Sequence, residues 1–557
     1  MGRAGYMKHL VNNRETALNS LVLVLSLIVS YGHCFIAPAL SYGSIGAPTS
    51  LENAIPDRMI YVNNQHPKAS DSNPGNDGER PIEAIGHAAK IAIKNQERGL
   101  STKILIYPGT YREQIKLEFG SRKNSPPIIF EAKEKGTVVV SGSDVWDDWK
   151  RIRETDIYVH QWPYKWGFLP GPSQLKEKYG PIVRRREMIF VDHQLMDQVL
   201  TFDELKKNTF YISEEESKIY LLPELKRSLN DTIVEVAIRS DLFKINQASN
   251  VILKGLSFQH DTTGMSTLGA AVYFVNSTNL LIEDCEFSWN NWFGLRFSSV
   301  SNVTTRRNKM VHNGGAGWEA WRVKRLLSEE DETSYNNWRG LKGKFLGWEI
   351  AGAKHLNIHD AVYRTYKAVG NHTRGLWLDF DNSNILIEGA CLCGNLTDGI
   401  NLEASEGPII IRKSLVCANQ GYGIVSDSSS VTLEDNKIYG NGKSQIKHAF
   451  GNDRSVKNWE TGEELKIRGN NLALIGNLIA TDSDSLLLEL PAQEKLVKSL
   501  TSQKNTWYKT SQKDLFRVGK RSMTLRGWNE ITGQDEQKGS VDAARSVGNW
   551  NGRSCGN

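Results

Sequence analysis

The sequence predicts an all-β chain: a right-handed parallel β-helix with an N-terminal capping helix and a small antiparallel β-domain inserted in it. Three observations carry this. First, strand-length units recur: Asn250-Val251-Ile252-Leu253, Asn279-Leu280-Leu281-Ile282, Asn302-Val303-Thr304-Thr305, His355-Leu356-Asn357-Ile358, Asn384-Ile385-Leu386-Ile387, Pro408-Ile409-Ile410-Ile411 and Ser430-Val431-Thr432-Leu433. Their spacings are 29, 23, 53, 29, 24 and 22, so one coil per 22–29 residues covers all but the third. That one fits two coils, or one coil with a long loop containing Trp338. Second, the units are short and β-branched, which excludes a helical solenoid, and the regular frame of a leucine-rich repeat is missing. Third, 557 residues exceed the usual size of one compact domain, whereas a solenoid grows by adding coils that touch only their neighbours.

Residues 1–41 read as a signal peptide, with Arg3, Lys8 and Arg14 before an apolar run from Leu21 to Val29. Small residues at Ala37, Ala39 and Ser41 place cleavage near Ser41 or Ala47. The run is short for a membrane span. Export to the periplasm, cell surface or medium follows, with an uncleaved anchor as the alternative. Residues 58–144 read as the cap and first coils. Pro81 to Ile93 has apolar residues at helical spacing and is expected to close one end. Lys103–Tyr107, Pro127–Glu131 and Thr137–Ser141 read as strands. Residues 145–245 break the repeat, and Arg186–Val191, Thr209–Ile212 and Lys218–Leu221 alternate as in an antiparallel domain. The main coils occupy 246–495. Residues 496–557 read as a C-terminal extension or cap, expected to pack along the solenoid wall or its last coil.

With 68 basic against 63 acidic residues the charge is nearly balanced, which gives no electrostatic case for nucleic acid. Setting Cys34 aside, five cysteines are too few and too odd for a disulfide framework. Cys391 and Cys417 fall at similar points of successive coils and are expected to stack as buried thiols. No zinc spacing appears. The sequons at Asn230, Asn276, Asn302, Asn371 and Asn395 matter only in a glycosylating host.

The clearest register lies in Gly375-Leu376-Trp377-Leu378-Asp379, Gly399-Ile400-Asn401-Leu402-Glu403 and Gly423-Ile424-Val425-Ser426-Asp427, each 24 residues after the last. Alternation turns Leu376, Ile400 and Ile424 inward, and Trp377, Asp379, Glu403 and Asp427 outward. Strands ~4.8 Å apart set Asp379 and Glu403 at about the separation a retaining glycosidase uses, ~5–5.5 Å. Asp381 lies one step along the same face, and Glu349 about one coil earlier. Outward acidic rows on such coils also serve as solvated faces, side-chain ladders or calcium sites. Lys354, Lys367 and Arg374 are the cations available to a lyase, while His355, His359 and His372 read as structural or exposed.

Trp377-Leu378-Asp379-Phe380, followed by Leu402-Glu403-Ala404-Ser405-Glu406-Gly407-Pro408, resembles glycoside hydrolase family 120. Arg186-Glu187-Met188-Ile189-Phe190-Val191 and Gly347-Trp348-Glu349-Ile350-Ala351-Gly352-Ala353-Lys354 resemble it too. That family comprises β-xylosidases on a pectate-lyase-like β-helix with an inserted β-domain. The resemblance implies that Asp379 is the nucleophile, Glu403 the acid/base and Glu349 a residue of the substrate pocket. Two departures stand out: the family has an aromatic then an amide after the Asp, where this chain has Phe380-Asp381, and Glu406 precedes Gly407-Pro408.

The expected function is therefore an exported retaining glycosidase acting from the ends of oligosaccharides. Asp379 and Glu403 do the chemistry, and Glu349, Trp377, Asp381 and Arg374 line the pocket. No cofactor is required, although calcium is compatible with the fold. The alternatives are a polysaccharide lyase or uronate epimerase on the same fold, and a carbohydrate-binding surface protein without catalysis.

Overall fold

The computed structural model describes residues 45–120, 125–170, 179–225, 228–265, 269–448, 453–509, 514–532 and 535. The signal-peptide reading, Cys34 and Cys555 lie outside them. Among the described residues no helix is long and apolar enough to cross a membrane.

The right-handed parallel β-helix is as the repeats predict. Twenty-three strands join into one sheet that wraps two walls of the solenoid, and a five-stranded and a six-stranded sheet make the third. Apolar side chains stack coil upon coil inside. Val251, Leu280, Val303, Leu326, Ala361, Ile385, Ile409 and Val431 form one such row, all buried.

This row corrects the register at one repeat. The 53-residue interval is two coils, and its missing member begins at Arg325. His355-Leu356-Asn357-Ile358 is displaced by five residues. Asp360, not His355, stands where Asn302 and Asn384 stand. The loop with Trp338 lengthens the second of the two coils. The corner explains why asparagine recurs: Asn250, Asn279, Asn302, Arg325, Asp360, Asn384 and Ser430 all have φ between +53° and +61°. Asn and Asp tolerate this left-handed region best among residues with a side chain.

Asparagine also closes the opposite corner. Asn290, Asn313, Asn336, Asn371, Asn395 and Asn419 each donate from Nδ2 to the Oδ1 of the next, as far as Asn441. Each also donates to a main-chain carbonyl, so buried backbone at the turn is satisfied. Gln445 ends the ladder by accepting from Asn441. The sequons at Asn371 and Asn395 are thus buried ladder positions, whereas Asn276 is exposed.

At the N-terminal end the helix spans Ile85–Glu97, slightly later than predicted, and buries Ile85, Ala88, Ala89 and Ala92. Glu113 caps it by accepting from the Ile85 and Gly86 amides. The insertion forms a four-stranded and a five-stranded sheet around Trp162, Phe210 and Ile219. It docks on the coils through Tyr179, Ile182 and Val183, which cluster with Tyr273, Trp292, Phe293 and Ile350. At the far end Phe516 lies between Trp507 and Trp528, and Asp535 accepts from Ser502 Oγ, the Asn505 amide and Trp507 Nε1.

The cysteine expectation needs correction. Cys393, not Cys391, lies over Cys417, because strand Cys391–Cys393 pairs with Leu415–Cys417 in the 24-residue step. Cys393 and Cys417 are joined as a disulfide rather than stacked as free thiols.

Candidate active site

Two outward rows meet near the middle of the solenoid. One runs Arg296, Glu319, Lys354, Trp377, Asn401, and the other runs Trp321, Leu356, Asp379, Glu403. Asp379 ends strand Arg374–Asp379, Glu403 ends strand Ile400–Glu403, and the two are direct partners. The 24-residue step thus brings the two carboxylates together.

Each is held differently. Asp379 is buried, and its Oδ2 lies 3.0 Å from Lys354 Nζ. Burial pushes its pKa up to about 6. Lys354 opposes that rise, and the charge of Glu403 adds to it. Asp379 Oδ1 meets no hydrogen-bond donor among the described residues, although it is shielded from solvent. A buried acceptor left open in this way marks a place for an incoming group. Glu403 is more open. Trp377 Nε1 donates to its Oε2 at 3.1 Å, and Arg454 donates to its Oε1 at 2.7 Å. The same Arg454 nitrogen lies 3.1 Å from Asp427 of the next coil.

Trp377 points outward yet is only 6% exposed. Lys354 Nζ sits 3.7 Å and the Arg374 guanidinium 4.5 Å from its ring centroid, so two cations cover its faces. Arg374 also pairs with Asp398 at 3.3 Å. Lys367 belongs to the third wall and is not part of the group.

Glu349 is not in the row. It lies in the loop before strand Ala351–Arg364, with φ +61° after Trp348 at +23°. Burial first, then the charge of Glu319, pushes its pKa up to about 7, against the pull of Lys354 and Arg296. The insertion reaches this point. Burial and the charge of Glu349 push the Tyr179 hydroxyl up to about 12, and that oxygen has no partner among the described residues.

Asp381 turns away from the pair. Its Oδ2 accepts from the Trp459 amide at 2.8 Å, and its Oδ1 lies 3.3 Å from His359 Nε2. Trp459 and Glu460 form the tip of a hairpin, Arg454–Lys457 with Glu464–Ile467. Glu460 bridges His359 and Lys324 at 3.0 and 2.8 Å. Val456 and Ile467 pack on Ala404, with Phe380 and Leu465 alongside. Asp381 therefore anchors the hairpin that delivers Arg454. His355 is wholly buried, its Nδ1 against the Tyr363 hydroxyl.

Among the described residues no group of three or more His, Cys, Asp or Glu side chains is placed to hold a metal ion. The acidic row faces Lys354 and Arg454 instead, a donor set that does not fit calcium.

The model of the right handed beta helix region matches residues 229–343 and 348–472. The chain carries that region. No curated protein matches it. Among solved structures, XylC in complex with xylose is 15% identical, with a TM-score of 0.66 over 84% of this chain and 86% of that one. The A-module of mannuronan C-5 epimerase AlgE4 from Azotobacter vinelandii is 13% identical, with a TM-score of 0.46 over 83% of this chain and 96% of that one. Pectate lyase Pel9A is 14% identical, with a TM-score of 0.38 over 84% and 82%. These neighbours are carbohydrate-active proteins, and the likeness to them is one of fold.

The sequence reading missed Arg454, Glu319, Arg296 and Tyr179. The first has one visible trace. The ladder step from Asn436 to Asn477 is 41 residues against the usual 22–24, which marks an insertion where the hairpin lies. Tyr179 leaves no trace in the repeat.

Proposed function

We propose that this chain is an exported retaining glycosidase, β-xylosidase-like, acting on the ends of short oligosaccharides. The observation that carries the reading is the in-register pair of Asp379 and Glu403, the first held by Lys354 and the second by Arg454 of the 454–467 hairpin. The approach of the insertion to Glu349 and of the hairpin to Glu403 suits chain ends better than an open polysaccharide groove. Xylose is the sugar carried by XylC.

In the first step the Asp379 carboxylate bonds to the anomeric carbon. Glu403 gives its proton to the glycosidic oxygen, which departs with the electron pair of the broken bond. In the second step the Glu403 carboxylate takes a proton from water. The water oxygen bonds to the anomeric carbon, and the ester to Asp379 breaks. Lys354 keeps Asp379 ionised in a buried place. Glu349, about half protonated near pH 7, and Tyr179 offer hydroxyl donors to the sugar. Neither step needs a cofactor.

The test is nitrophenol release from aryl β-xylosides, glucosides, arabinosides and fucosides. Wild type is expected to turn over one of them. Asp379→Ala should lose activity by several orders of magnitude, and Glu403→Ala should recover part of its loss with azide. Unsaturated products absorbing in the near ultraviolet from a uronate polymer would instead identify a lyase. Sugar binding without turnover would identify a binding protein.

A further inference from the structure

We infer that Arg454 is a positioning residue that sets the protonation state of Glu403 by dividing its charge between Glu403 and Asp427. The inference rests on the glycosidase reading above.

Both Glu403 oxygens accept from donors, Oε2 from Trp377 and Oε1 from Arg454. A carboxyl proton on Oε1 would face a guanidinium that has none of the lone pairs needed to accept it. This arrangement is therefore that of the base, the form needed for the second step. The acid of the first step needs Arg454 withdrawn from Oε1. Asp427 supplies the other resting place, because the same guanidinium nitrogen that contacts Glu403 at 2.7 Å lies 3.1 Å from Asp427 Oδ2. Asp427 is fixed for this role by the Ala404 amide, which donates to its Oδ1 at 2.6 Å. Arg454 has room to move between them, since its side chain is about a third exposed. The guanidinium rides on Phe380 at 4.8 Å, beside the apolar patch that seats the hairpin.

The charged groups facing Glu403 are Asp379 beside it on the preceding coil, Lys354 behind Asp379, Asp427 on the following coil and Arg454 from the hairpin. Of these, Arg454 alone comes from outside the coils. It is the group whose position can change without unstacking a strand. The Phe380-Asp381 departure from the family pattern has its use here, because Asp381 pins the hairpin tip while Arg454 works at its root.

The experiment compares wild type, Arg454→Met, Arg454→Lys and Asp427→Asn on the aryl glycoside that wild type hydrolyses, across pH. Two leaving groups separate the steps: phenol, which needs the acid, and dinitrophenol, which does not. Folding is checked by thermal unfolding, and Arg454→Lys keeps a cation if Arg454→Met is unstable. Arg454→Met is expected to raise the basic limb of kcat/KM for the phenyl substrate by about one pH unit. It should also raise the acid limb of kcat for the dinitrophenyl substrate, where the Glu403 base is needed. Asp427→Asn should move both limbs down, and Arg454→Lys should lie near wild type. Limbs that stay in place while activity falls equally at every pH overturn the inference and leave Arg454 a structural tether. Absence of hydrolysis by wild type overturns the glycosidase reading itself, and this inference with it.

Discussion

On the proposed glycosidase reading, Asp379 poses a problem at the scale of single residues, because a nucleophile must be ionised and burial resists ionisation. The pair with Lys354 answers it only in part, for the carboxyl still sits up at about 6. The carboxylate is the active form, so kcat/KM is expected to fall as pH drops through about 6. Lys354→Met removes the cation that lowers this pKa, so the acid limb should move upward, and a rise of about one unit should drop the rate at pH 6 about fivefold. A pH series of initial rates measures both. An acid limb unchanged in Lys354→Met would mean that Lys354 serves Trp377 rather than Asp379. At this scale Asp379 and Glu403 were legible because a constant 24-residue step fixes who faces whom. Lys354 was legible as a residue but not as a partner, since its coil was out of register by five. Arg454 was hidden because a hairpin carries it in from 51 residues away, outside any repeat.

Single elements show where the fold gets its specificity. The alternating apolar rows made the coil readable, and the corner asparagines marked it, but one signal served two structures. The outer column, with φ near +56°, uses Asn for its backbone tolerance and pairs its side chains from coil to coil, while the inner ladder uses the amide to satisfy main-chain groups as well. Arg325 and Asp360 can replace Asn in the outer column because Arg325 still donates to Asn302 and Asp360 still accepts from Asn384, and they disguise the repeat. The inner ladder permits no such exchange. Asn395 accepts from the Asn371 amide and donates to the Ala368 carbonyl, both buried. Asn395→Ala strands both groups at ~1–3 kcal/mol each, so a loss of about 2–6 kcal/mol is expected. Denaturant unfolding measures it, and a loss below 1 kcal/mol would mean that water replaces the amide. The same local logic explains the disulfide. Register alone decides that Cys393 rather than Cys391 meets Cys417, and a register error of two residues hides the bridge.

In the whole molecule, every coil touches only the coils beside it, so stability propagates through neighbours and depends on how the ends are closed. Among the described residues, Asp535 is the last member of a second ladder through Asn436, Asn477 and Asn505. Four donors converge on it, Ser502 Oγ, the main-chain and side-chain amides of Asn505 and Trp507 Nε1, so Asp535→Ala removes an acceptor shared by four buried groups. The damage should remain local, because Asn441 hands its ladder to Gln445 and Ser485 and not to Asp535. Amide hydrogen exchange is expected to show protection lost over residues 473–509 in Asp535→Ala, with residues 374–403 unchanged. Aryl glycoside turnover should then stay within about twofold of wild type, since the carboxylates and their cations lie in coils the ladder end does not reach. Protection lost evenly along the chain would mean that the coils unfold as one unit, and a substitution at the far cap would then silence Asp379 and Glu403 without touching them.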